Sequence, residues 1–462
     1  MKTGEITTPF GMKDKLGYMF GNFGNDFTFT LSSMILMKFY SDVMGISVGL
    51  IGFMMMAARF VDAFTDVAMG QIVDRSRAGK KGKFIEWIRR MCGPVVVASF
   101  LMYASWFQDM ALGFKIFWMF FTYLLWGSVF YTSINIPYGS MVSAVSEEPK
   151  DRAQLSNWRT IGSALAGTVI GVVLPLVVYY TDENGNSVLS GERTMLTAFW
   201  CSVGALICYL LCYWLVTERV KIEPKTERFD LGKLLKGLIH NEALIGIVIS
   251  SICMLLVQLT LSTMTTYVFP NYFRNTQAQS VTGIIGLVVT LGCAGFTVKL
   301  SQKLGRKELA VFASIFGAAA FLAAFVVQTT NAWIFVGLYA VAYVGLAVFN
   351  LICWAMITDV IDDTEVKTGE RSDGTIYAVY SFSRKLGQAA SSGVTGILLS
   401  MIGYSQATAF HPDVTKGIYN LTCLVPAIGF VLLAIVLYFL YPLDKKRVEK
   451  NNHILAKKHE RK

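Results

Sequence analysis

Arg59, Asp62 and Asp66 stand three and four residues apart in ARFVDAFTDVAMG, a stretch that is otherwise almost entirely apolar. On a helix that spacing puts all three side chains on one face. An ionised side chain in mid-hydrocarbon costs at least ~2.5–3.5 kcal/mol, so it needs a partner or an aqueous cavity. Two acids with one nearby base leave a negative charge over. An oxygen-rich negative site suits a hard cation; alternatively, one of the acids holds a proton. The chemistry these residues point to is capture of a positive ion inside an apolar phase.

Other polar groups share that phase. Asp26 lies in GNFGNDF, Thr132 and Asn135 in YTSINIPYGS, Arg159 in NWRTIG, and the adjacent Arg384 and Lys385 in SFSRKLG. Lys38, Asp359 and Asp362 stand near the ends of apolar runs, where a charge reaches the interface; a structural ion pair or snorkelling is the simpler expectation for Lys38. Past Gly70, Asp74 and Arg75 open the basic run DRSRAGKKGK. Asp74, with neighbouring bases, can latch helix ends, so Asp74, Arg75, Asp359 and Asp362 are candidates for a cytoplasmic gate.

The elements that must position these groups are long apolar runs. Of 462 residues, 54% are hydrophobic and only 16% charged, against roughly a quarter in soluble proteins. Twelve runs recur, centred near Ser32, Met55, Val96, Tyr123, Gly167, Gly204, Ser251, Val289, Phe316, Val341, Gly387 and Ile428. Each has the ~20 residues that cross a hydrocarbon core. Only helices satisfy their backbone within one crossing segment, and the ~10-residue alternation of a membrane barrel is absent, so an all-α membrane protein is expected. The first run lacks the pattern of a cleaved leader and reads as structural. The eight cysteines form no CxxC pair and read as small buried residues.

Lysine and arginine concentrate in alternate loops: DRSRAGKKGKFIEWIRR, TERVKIEPKTERFDLGKLLKG, KLSQKLGRKEL and the tail DKKRVEKNNHILAKKHERK. The intervening loops carry almost none. That bias puts the basic loops and both termini in the cytoplasm, with the chain multi-pass in the inner or plasma membrane. It also accounts for the net charge of +10 without a nucleic-acid partner. The polar segment 218–240 is read as a linker between six-span bundles at 1–217 and 241–442, with a basic tail at 443–462. Arg159 and Arg384 lie half a chain apart, each about one turn inside a span that follows an acidic loop, as two parallel repeats require.

The motifs GNFGNDF, FYSDVMGIS, ARFVDAFTDVAMG, GKKGKF, NIPYGS, DVIDDTEVKTGERSDGTIYAVYSFSRKLGQA and MIGY together cover nearly the whole chain. In them the sequence resembles the glycoside–pentoside–hexuronide:cation symporters of the major facilitator superfamily. The resemblance implies twelve transmembrane helices in two pseudo-symmetric six-helix bundles, with sugar and cation entering together. In the melibiose branch, acids matching Asp62 and Asp66 and a threonine matching Thr132 bind the cation. An acid matching Asp26 and an arginine matching Arg159 hold the sugar, and a lysine matching Lys385 lies near the cation site. This chain departs at two positions: Asn135 replaces an acid that serves the sugar, and Thr65 replaces an asparagine beside the second cation acid.

The expected function is symport of a glycoside, pentoside or hexuronide with Na+ or H+, or Li+, by alternating access in a monomer. Asp62, Asp66, Thr132 and Thr65 are the cation candidates. Asp26, Asn135, Arg159, Asn350, Trp354 and Lys385 are the sugar candidates, and Arg59, Arg384 and Lys385 a charge network around them. Arg384 and Lys385 make a uronic carboxylate attractive, since guanidinium and ammonium groups both pair with it. The alternatives are a same-fold carrier of an amphiphilic lipid and an uncoupled facilitator or exchanger. No catalytic or metal-ligand motif and no soluble domain argue for an enzyme, and no cofactor is expected.

Overall fold

The computed structural model describes residues 9–79, 81–220, 241–368 and 373–460. Most of the expected linker, residues 221–240, lies outside them, as do residues 369–372 of the acidic motif.

Twelve long helices follow one another among the described residues. They are α1 (Met12–Asp42), α2 (Val48–Arg75), α3 (Phe84–Leu101), α4 (Leu112–Val145), α5 (Pro149–Val177), α6 (Gly191–Leu215), α7 (Glu242–Tyr272), α8 (Thr276–Leu304), α9 (Arg306–Val327), α10 (Ala332–Thr368), α11 (Asp373–Met401) and α12 (Pro412–Phe439). A thirteenth, α13 (Lys445–Glu460), ends the description. Ten of the twelve are long and apolar enough to cross a membrane. The other two are α1 and α11, the helices that carry Asp26 and the Arg384–Lys385 pair.

Local chemistry sets several ends. Ser190, Asn241 and Asn275 each accept a backbone N–H three residues on, capping α6, α7 and α8. Pro149 and Pro412 open α5 and α12, where a missing N–H costs nothing. A hairpin of Tyr179–Thr181 and Ser187–Leu189 joins α5 to α6. At its turn the Asn186 backbone N–H holds the Asp182 carboxyl below its ordinary range. Inside α4, residues Leu125–Tyr131 form a π-turn.

The chain divides into two compact units. The first takes Met1–Ser47, Ala57–Tyr180 and Val188–Phe229; the second takes Val48–Met56, Thr181–Ser187 and Asp230–Lys462. Within the first, α1 packs on α5 and α6, α3 packs on α6 and the second half of α4, and α2 bonds to α4. Within the second, α7 packs on α11 and α12, α9 packs on α12 and α10, and α8 packs on α10. Adding six to each number in the first set gives the second, so the packing repeats even where the letters do not.

Each unit has an apolar interior. Leu346, Phe349, Phe430 and Leu433 centre the second. Gly345 lets α10 approach α9, since a Cβ there would lie 2.7 Å from the Ala313 carbonyl oxygen. The outer faces are apolar too: Val326, Met401 and Phe439 are each more than 70% exposed, as in helices solvated by lipid.

At the end of the first unit that carries its basic loop, the residues after α6 act as a stitch. Thr217 N and the Arg219 guanidinium bond the buried Asp14 of α1, at 2.8–3.1 Å. Arg219 N bonds the Ala144 carbonyl of α4. Glu218 accepts Lys83 N at 2.7 Å and Ile85 N at 2.6 Å, capping α3. Gly82 enters that cap with φ +143°, where a side chain would be strained and would meet Glu218.

Candidate functional site

The α2 acids face the π-turned part of α4. Asp62 is 1% exposed. Its Oδ2 accepts Arg59 Nη1 at 3.0 Å and its Oδ1 accepts Ser128 Oγ at 2.5 Å. One turn on, Asp66 Oδ1 accepts Thr132 Oγ at 2.7 Å. Gly127 flanks the first contact, where a Cβ would lie 3.3 Å from Asp62 Oδ1. The Arg59 guanidinium lies among the rings of Phe29, Tyr123 and Trp126, at 5.4–5.8 Å from their centroids. Such faces attract a cation and spare it from water. The three ionisable groups of α2 therefore share one side, and two hydroxyls of α4 meet both carboxylates. Thr65 is different: its hydroxyl donates to the Asp62 carbonyl of its own helix at 3.2 Å. Thr65 and Ser128 also line an apolar outer hollow of about 390 Å³ walled by Phe117, Phe120 and Phe121.

A second group joins α1 and α5. Asn22 Nδ2 donates to Asp26 Oδ2 at 2.7 Å, while Arg159 Nε donates to Asn22 Oδ1 at 3.1 Å. One amide thus holds the acid and the base together. The Arg159 guanidinium also lies over the Tyr138 ring. Tyr131, the last residue of the π-turn, is within electrostatic reach of Asp26 and Arg159 as well as Arg59 and Asp66. Asn135 is half-buried one turn beyond Thr132.

Residues 17–445 match the family described as MFS/sugar transport protein. The chain belongs to this family. It is 31% identical to an uncharacterized symporter, YjmB, of Bacillus subtilis (strain 168), over 96% of this chain and 95% of that one. It is 28% identical to a glucuronide carrier protein homolog of Escherichia coli (strain K12), covering 94% and 93% respectively. A crystal structure of a D-xylose-proton symporter superimposes with a TM-score of 0.65 over 92% of this chain and 97% of that one, at 14% identity. The fold is thus that of the major facilitator superfamily, and the chain is an integral membrane protein.

In this transporter the remaining candidates lie in the second unit or at the basic ends. Asn350 donates to Gln258 at 3.4 Å, and Trp354 lies edge-on to Tyr380. Arg384 is within electrostatic reach of Tyr380 and Cys353, and Lys385 is half-buried on the same helix. The four gate candidates are held differently. The Asp74 carbonyl receives the Lys83 ammonium at 2.7 Å, and Arg75 is exposed. Asp359 pairs with Arg306, and Asp362 is half-buried beside it.

Sequence reasoning missed three side chains. Ser128 and Asn22 have no charge to draw notice, although Asn22 stands four residues before Asp26. Asp363 is 1% exposed and binds Lys367 of its own helix and Arg447 and Asn451 of α13, the last two docking α13 on α10. Lys38 does not snorkel. It is 1% exposed and bridges Asp42, four residues on, at 2.9 Å, because the helix supplies a nearer partner than the interface.

Proposed function

We propose that this transporter couples inward movement of a glycoside, pentoside or hexuronide to that of Na+, Li+ or H+. The observation that carries this reading is the paired acids beside the π-turn. Asp62 and Asp66 lie on one helix face, and the Ser128 and Thr132 hydroxyls of α4 meet them in turn. Carboxylates and hydroxyls together make an oxygen-rich site that suits a hard monovalent cation or a proton.

In this reading the ion binds among Asp62, Asp66 and Thr132. The sugar binds through Asp26, Asn22, Arg159 and Asn135, whose amides, guanidinium and carboxylate match paired hydroxyls. Tyr131, in reach of both groups, is the natural link between the two events. The basic ends and both termini face the cytoplasm, and access alternates from one side of the membrane to the other. The similarity to a glucuronide carrier protein homolog supports a sugar cargo.

Each entering charge gains about 2.3 kcal/mol per 100 mV, enough for ~50-fold accumulation with one ion per sugar. The test is uptake of a panel of labelled glycosides into membrane vesicles under imposed Na+, Li+ or proton gradients. Concentrative uptake under one of them supports the reading. Gradient-independent exchange identifies a facilitator instead and overturns the coupling.

A further inference from the structure

Ser128 was not among the residues that composition or motif picked out, yet it completes a pattern. Asp62 and Asp66 are one helical turn apart on α2, and Ser128 and Thr132 are spaced alike on α4. The hydroxyls meet the carboxylates in order, Ser128 on Asp62 and Thr132 on Asp66. The π-turn ends at Tyr131, so both hydroxyls depend on its geometry. Such turns collect at functional sites.

We infer that Ser128 is a ligand of the transported cation, presented by the π-turn of α4. This rests on the cation-coupled reading. A serine hydroxyl donates one hydrogen and offers two lone pairs. In the structure its hydrogen points to Asp62 Oδ1. Rotation about the Cβ–Oγ bond turns a lone pair toward an ion held by Asp62 and Asp66, with no movement of the backbone. The hydroxyl thus holds the acid when the ion is absent and coordinates the ion when it is present. Gly127 leaves the room: no Cβ crowds the Asp62 oxygen that must face both. The charged and titratable groups facing this point are Arg59 and Asp66 on α2 and Tyr123 and Tyr131 on α4. Asp26 of α1 and Arg159 of α5 are within electrostatic reach of Tyr131.

The experiment measures the cation concentration that half-saturates sugar uptake in vesicles holding the full chain, for whichever of Na+, Li+ or H+ drives the wild type. Ser128→Ala is expected to raise it about tenfold, the effect of one lost ligand. Sugar affinity at saturating cation stays unchanged. Ser128→Thr, which keeps the hydroxyl, stays within about twofold of wild type. A merely structural serine would lower expression or thermal midpoint without changing the half-saturating concentration. Heat denaturation of purified protein with and without the cation therefore gives a second readout, and Ser128→Ala should lose most of the cation-dependent rise. The inference is overturned if Ser128→Ala half-saturates within twofold of wild type while Thr132→Ala does not. If no cation gradient drives the wild type, the coupled reading itself fails, a result visible before any variant is made.

Discussion

Asp62 and Asp363 are both acids only 1% exposed, but they keep different company. Asp62 has one cation, Arg59, and a second acid one turn away. Asp363 has two cations, Arg447 and Lys367, with the Asn451 amide filling in. The first neighbourhood sets two acids side by side with hydroxyls on both, and the second sets one acid between two bases. A buried acid is therefore not a functional mark by itself. What separates a docking point from an ion site is whether the neighbours are further oxygens or fixed cations.

The sharpest way to break that contrast is Asp66→Asn, which removes the second carboxylate. Steady-state accumulation of the sugar should collapse from ~50-fold to about 1 under a 100 mV potential. If the variant still concentrates sugar, the paired carboxylates do not govern coupling. Asp363→Asn should do the reverse: spare uptake and cost stability. Losing one partner of a fully buried pair costs about 3–5 kcal/mol. Arg447 and Lys367 are 33% and 42% exposed, and solvent screening reduces the expected loss to ~1–2 kcal/mol. A lower thermal midpoint in detergent, with initial uptake rates within about twofold of wild type, is the expected pair of results.

Gly127→Ala sharpens the comparison at the ion site. Its Cβ would stand 3.3 Å from Asp62 Oδ1, so half-saturation by the cation should need several-fold more ion, ~3-fold, with the fold intact. The smallest effect is expected at Glu218. Burial holds its carboxyl above the ordinary range, against the pull of the Ile85 and Lys83 N–H groups. Stability from such an acid is full below its unfolded value and is lost as pH rises through the folded one. Glu218→Gln removes that slope, so thermal midpoints measured from about pH 4 to pH 7 should favour wild type most at the acid end.

Much of this was legible in the residue order. Hydropathy runs marked the helices because a membrane leaves a chain few options. The spacing of Arg59, Asp62 and Asp66 put them on one face because 3.6 residues make a turn. The partners on α4 were harder, since a π-turn has no composition of its own and Ser128 and Gly127 pass for ordinary apolar-span residues. In DVIDDTE the helix phase decides which acids turn inward. Asp359 and Asp363, four apart, share a face and are both buried, while Asp362 is about 100° away from Asp363. Proximity to the interface drew attention to Asp362 instead. Lys38 illustrates the same limit: hydropathy located it near a helix end, but only its spacing from Asp42 told where its charge would go.

The stitch made by Thr217, Glu218 and Arg219 has a consequence for the gene as well as the fold. It fastens α1, α3 and α4 to the end of α6 using residues that precede position 221. At the start of α7, Asn241 ties its own helix to Thr364. Two separately translated fragments, parted after Phe229, would each keep these fasteners, so the transporter is a natural candidate for reconstitution from split reading frames.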